Sequence, residues 1–143
     1  MGSSFSIHND SDHPVWVTVP GSIARINQLR GYGDRARQLH RLAEKLIDVG
    51  SLTRVLQLTE SDLPNISQDD IEKLKSYKAE LVEMLQGFER VDPGGKFQFK
   101  AKSLGLAKTA VVIRNNGATF HRQVYSGNTK DSIRTYCITK DFG

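Results

Sequence analysis

Two hydrophobic periods occupy different parts of this chain, and their order limits what it can fold into. Apolar residues alternate near both ends, while helical spacing fills the middle. Val15, Val17 and Val19 alternate with Trp16 and Thr18, and Pro20-Gly21 stops the run. Phe97, Phe99 and Ala101 oppose Gln98, Lys100 and Lys102. Thr109 to Arg114 is rich in β-branched residues and meets Thr119 to Tyr125 across Asn115-Asn116-Gly117, where Asn-Gly is a strong hairpin signal. Phe5 to Asn9 and Ile133 to Thr139 complete about six strands. No strand–helix–strand alternation exists, so a doubly wound parallel sheet is excluded. The fold class expected is α+β: a mostly antiparallel sheet or small β-sandwich with a helical insertion between its N-terminal and C-terminal strands.

The insertion divides by its caps. Asp34 to Val49 has Ala36, Leu39, Leu42, Ala43, Leu46 and Ile47 on one side. Ser51 is placed to cap a short helix with Leu52, Val55 and Leu56. Thr59 with Asp62 can cap another turn, which Pro64 limits. Ser67 with Asp70 is an N-terminal capping pair for a helix carrying Ile71, Leu74, Leu81, Leu85 and Phe88, expected to run to about Gly87. Asp92-Pro93-Gly94-Gly95 returns the chain to strand, and Ser126-Gly127-Asn128 reads as a second turn. One domain over 1–143 results, with strands in 1–20, helices in 21–92 and basic strands in 93–143. A chain of 143 residues buries about two thirds of its unfolded surface, enough for a core without disulfide or metal.

Charge is segregated along this order. The net +4 divides into +2 over 1–46, −5 over 47–94 and +7 over 95–143. Lys96, Lys100, Lys102, Lys108, Arg114, Arg122, Lys130, Arg134 and Lys140 carry the last excess. Such a surface attracts phosphates of lipid headgroups or nucleic acid, unless it is neutralised by the acidic helices of the same chain. The candidate contacts are Lys96, Lys100, Lys102, Arg114, Arg122, Lys130 and Arg134.

The opening Met1-Gly2-Ser3-Ser4-Phe5-Ser6 fits the N-myristoylation pattern, with glycine after methionine and serine at position 6. Acylation needs the amine freed at Gly2 beside an unhindered Cα. One such chain binds membranes with an association constant on the order of 10⁴ M⁻¹, so a second signal is required. The basic strands can provide it, at about 1 kcal/mol per Lys or Arg close to anionic lipid.

Sites for chemistry are sparse. His8, His13, His40 and His121 lack metal-ligand spacing. His121 with a carboxylate and a neighbouring cation is the one conceivable acid–base set for phosphodiester cleavage. Asp10-Ser11-Asp12 is too short for a calcium loop and reads as a turn. Gly31-Tyr32-Gly33 and Gly94-Gly95-Lys96 lack the context of a phosphate loop. Cys137, the single cysteine, reads as a small buried hydrophobe on the face of Ile133 and Thr135, and argues for a reducing compartment. Asn9 and Asn65 begin Asn-x-Ser triplets, with no secretory signal to make them glycosylation sites. Trp16, Phe97, Phe99, Phe120, Tyr125 and Tyr136 are core rings or, if exposed, platforms for bases.

The first functional reading is therefore a non-enzymatic cytoplasmic adaptor, peripheral at anionic membranes through myristoylated Gly2 and the basic strands. It needs no cofactor, and its protein partner is not named by the residues. The second is a basic RNA-binding or ribonuclease-like domain. The third is a membrane-damaging, pore-forming toxin-like protein that turns an amphipathic helix to lipid.

Overall fold

The computed structural model describes residues 3–63, 65–101, 107–125 and 133–143. Strands β1 (Ser3–His8) and β2 (Val15–Thr18) precede helices α1 (Ile23–Glu44), α2 (Leu52–Gln57) and α3 (Gln68–Met84). Strands β3 (Glu89–Val91), β4 (Lys96–Ala101), β5 (Ala107–Arg114), β6 (Thr119–Tyr125) and β7 (Ile133–Cys137) follow, then the short α4 (Ile138–Asp141). One sheet has the order β4-β1-β7 and the other β3-β2-β5-β6. All pairings are antiparallel except β1 with β7. The architecture is the α+β one that the order of periods predicts.

Three layers follow from the strand patterns. Val15 and Val17 of β2, with Ala110 and Val112 of β5, pack against Phe5 and Ile7 of β1 between the sheets. Trp16, Val111 and Ile113 point the other way and join Leu29, Leu39, Leu74 and Leu81 of the helices. The unbroken apolar run Ala110–Ile113 is fully buried for this reason: its sheet is covered on both faces. The helices thus lie on one sheet, and the other sheet closes the far side.

Local chemistry sets the helix ends. Ser22, Ser51 and Ser67 cap α1, α2 and α3, each accepting a backbone N–H three residues on. Asp69 and Asp70 in the first turn of α3 complement its dipole. Thr59 and Asp62 form a reciprocal capping box around a 3-10 turn, Glu60–Asp62. Arg35 of α1 forks onto Glu80 of α3 at 2.5 and 2.8 Å. This bond raises Arg35 and lowers Glu80 from their ordinary pKa values. Both side chains are more than a third exposed, so the pair orients the helices more than it stabilises them.

Three expectations change. First, α1 starts at Ile23 instead of Asp34 and ends at Glu44 instead of Val49. It runs through Gly31 and Gly33, residues that weaken a helix locally by about 1 kcal/mol each relative to alanine. A Cβ on Gly33 would overlap Thr119 Oγ1 and lie 2.5 Å from Thr119 Cβ, so close crossing over β6 requires this glycine. Gly117 meets α1 from below: its φ is +84°, and a Cβ there would lie 2.9 Å from Arg37 Cα. Second, β3 is a seventh strand, three residues long, held by β2. Third, β7 stops at Cys137, and residues 138–141 turn into helix. Tyr136 and Ile138 enter the core, while Cys137 is only half-buried, so it is not the buried hydrophobe expected. The turn expected at 126–128 and the Pro64 limit lie outside the described residues.

Asn9 fastens one end of the sandwich. Its side chain is fully buried, and Nδ2 donates to His13 O at 2.8 Å and Val91 O at 2.9 Å. Its Oδ1 accepts from the Ser11 backbone and hydroxyl. Its own backbone exchanges bonds with Gly94 and Gly95. A glycosylated side chain does not fit this position.

Next to it, Asp10 accepts from Thr139 through Oγ1 at 2.5 Å and N at 2.9 Å, and the side-chain bond chiefly holds its pKa below the usual value. A lowered carboxylate stabilises the fold above its unfolded pKa of about 3.9 and loses that effect as pH falls through the lower folded value. Thermal melts should therefore show wild type above Asp10→Asn at neutral pH, with the gap closing toward strong acid. A gap constant with pH would contradict the Asp10–Thr139 contact.

Candidate functional site

Register divides the sandwich into two poles. The Asn9 pole gathers the end of β1, the start of β2, the end of β3 and the start of β4. The opposite pole gathers the start of β1, the end of β4 and the start of β7: Ser3 lies opposite Ala101, and Ser4 lies between Lys100 and Ile133. In the second sheet Ala107 pairs with Tyr125, and Thr18, the end of β2, pairs with Val111. α1 begins just beyond β2. We call this second end the N-terminal pole.

The basic candidates separate between these places. Lys100 and Arg134 pair with Ser4 and Phe5 and so flank the first residues of β1 from both sides; for these two only the backbone register is described. Gly2, Lys102 and Lys130 lie outside the described residues. In sequence Gly2 directly precedes β1, Lys102 directly follows β4, and Lys130 is three residues before β7. Lys108 pairs with Val124 near the start of β5. Lys96 pairs with His8 and Arg114 with Val15, both at the Asn9 pole. Arg122 is in mid-strand opposite Ala110, where it closes the sandwich edge: its guanidinium sits 5.6 Å from the Tyr136 ring centre and 3.8 Å from Asp141. Arg114 similarly covers Phe120 at 5.5 Å.

Among the described residues, the ion pairs of the helical layer, Arg35–Glu80, Arg37–Asp34, His40–Glu44, Arg54–Asp62 and Lys75–Glu60, are internal to it. None joins a cation of the C-terminal strands to an acid of the insertion among those residues.

One residue of this pole was not singled out from the sequence. Ile23, the first residue of α1, is 77% exposed, against 46% for Val82, the other exposed large hydrophobe among the described residues. The available signal was its place directly after the Pro20-Gly21-Ser22 stop and cap, where an apolar side chain has no preceding turn to pack on.

The remaining candidates take structural places. Trp16 and Tyr136 are buried, and Phe97, Phe99 and Phe120 pack partly buried on the inter-sheet core, so these rings offer no open stacking platform. The apolar faces of α1 and α3 are used against the sheet and each other. His121 is displaced below its ordinary pKa by partial desolvation and then by the Arg30 charge, and no carboxylate forms an ion pair with it among the described residues. His40 lies 3.5 Å from Glu44 on the flank of α1. No group of three His, Cys, Asp or Glu is arranged to hold a metal among the described residues. No described helix is long and apolar enough to cross a membrane. No protein-family model, curated protein or solved structure matches this chain.

Proposed function

We propose that this protein is a non-enzymatic, cytoplasmic adaptor that docks on anionic membranes by its N-terminal pole, with a myristoyl group on Gly2 as the first attachment. The observation that carries the reading is the register of β1. Ser4 and Phe5 pair with Lys100 and Arg134 on the two neighbouring strands, which supports an acyl attachment two or three residues upstream with cationic residues nearby. The exposed Ile23 adds an apolar contact at the same end. In sequence, Lys102, Leu104 and Leu106 between β4 and β5 have the same mixed character.

The energetics favour such a combination. A myristoyl chain alone holds on the order of 10⁴ M⁻¹. Each cation near anionic headgroups contributes about 1 kcal/mol, so several of them turn marginal binding into stable attachment that salt weakens. The rest of the helical layer, on one face of the sandwich, is then left open to recruit a protein.

The test is co-sedimentation with phosphatidylserine-containing vesicles after co-expression with an N-myristoyltransferase, with intact mass confirming acylation. Wild type should pellet and Gly2→Ala should stay in solution. Pelleting of unacylated Gly2→Ala as strongly as wild type would sink the acyl anchor. Failure of acylated wild type to pellet would sink the membrane role altogether.

A further inference from the structure

A second apolar feature lies in the helical layer, away from either pole. The segment from Leu58 to Leu63 stands off α3 and leaves a cleft of about 400 Å³. Its floor is Leu58, Leu63 and Leu74, each at most 5% exposed, and its outer wall is Ala79 and the exposed Val82. The volume is within the range of roughly 300–1,000 Å³ typical of small-molecule sites. One wall is pre-formed. The Thr59–Asp62 capping box fixes the 3-10 turn, and Arg54 reaches Asp62 at 3.7 Å.

The charges at the mouth are unequal. Lys75 is paired with Glu60. Lys78 is half-buried and donates to the Leu58 carbonyl at 2.8 Å, a neutral acceptor, and it has no carboxylate partner among the described residues. An ammonium at the edge of an apolar cleft is desolvated on one side and attracts an anion there. Aliphatic floor and uncompensated cation together fit one occupant.

We propose that the α2–α3 cleft binds a single-chain aliphatic carboxylate, with its chain over Leu63 and Leu74 and its headgroup at Lys78. The acyl group on Gly2 is not that occupant. Gly2 leads into the sheet that is separated from the helices by the whole β3-β2-β5-β6 layer. The site is therefore independent of the membrane-docking reading and would stand if that reading failed.

Isothermal titration with dodecanoate, below its micelle concentration and without vesicles, tests the proposal. Dodecanol and dodecyltrimethylammonium serve as comparison probes. Wild type should bind dodecanoate saturably at one site. Ala79→Trp, a change on an exposed helix position that fills the cleft, should weaken binding about tenfold or more, as expected when two or more methylenes lose burial. Lys78→Met keeps the stem and should weaken dodecanoate selectively while leaving dodecanol unchanged. Circular dichroism identifies any variant that fails to fold, and Val82→Glu then replaces it as the blocking change. Four results would each overturn the proposal: no saturable dodecanoate binding, wild-type affinity in the filled variants, equal affinity for the cationic probe, or capture of an amphipathic peptide in the cleft without dodecanoate binding.

Discussion

Phe5→Ala is expected to lower unfolding free energy by about 3–5 kcal/mol, the usual cost of emptying a buried phenylalanine site. Phe5 is fully buried on the central strand of its sheet. Its ring stacks on Phe99 at 5.2 Å and meets Tyr136 edge-on at 6.0 Å, so its loss removes a ring contact from both neighbouring strands. Domains of this kind have only about 5–15 kcal/mol to lose. Urea denaturation should show the midpoint fall with little change in slope. Ile23→Ala, at the same pole but 77% exposed, should stay within about 0.5 kcal/mol of wild type. A cost under about 1 kcal/mol for Phe5→Ala would mean that β1 does not occupy the centre of the sheet, because no buried central ring is that cheap to remove.

What was legible in the sequence was local. Alternation marked β2 and β4, Asn-Gly marked the β5–β6 hairpin, and side-chain oxygens three residues before the right amides marked the caps at Ser51, Thr59 and Ser67. These signals act within a few residues. The start of α1 was hidden because its reason is distant: Gly33 looks like a helix breaker until Thr119 is seen beneath it. β3 was hidden because three residues carry no period, and its pairing with Val15–Val17 comes from over seventy residues away. The strand stop at Cys137 depends on Asp141 accepting the Cys137 N–H at 2.7 Å, a contact that the β-branched pattern does not foretell.

The candidate site had the same split. The excess of cations in the last third was readable by counting, as was the Gly2 motif. Their relation was not. The parallel pairing of β1 with β7 and the antiparallel pairing with β4 bring Arg134 and Lys100 to opposite sides of β1, and only non-local register does this. The same register sends Lys96 and Arg114 to the other pole and leaves Arg122 to close the sandwich edge. A charge count treats all seven candidates alike, but the fold does not.

That difference defines the most direct measurement. Two triple variants of the acylated protein remove equal charge: Lys100→Gln at the N-terminal pole with Lys102→Gln and Lys130→Gln, which adjoin β4 and β7 in sequence, and Lys96→Gln and Arg114→Gln at the Asn9 pole with Lys45→Gln just after α1. Their partition onto phosphatidylserine vesicles is compared at fixed salt. At about 1 kcal/mol per cation near the bilayer, the first set should lose on the order of 100-fold in partitioning. The second should remain near wild type, because Lys96 and Arg114 sit at the opposite ends of six- and eight-residue strands, about 15 Å or more away at about 3.3 Å per residue, against a Debye length of about 10 Å. Equal losses in both sets would mean that the protein has no preferred face toward the membrane, and the docking pole would be contradicted.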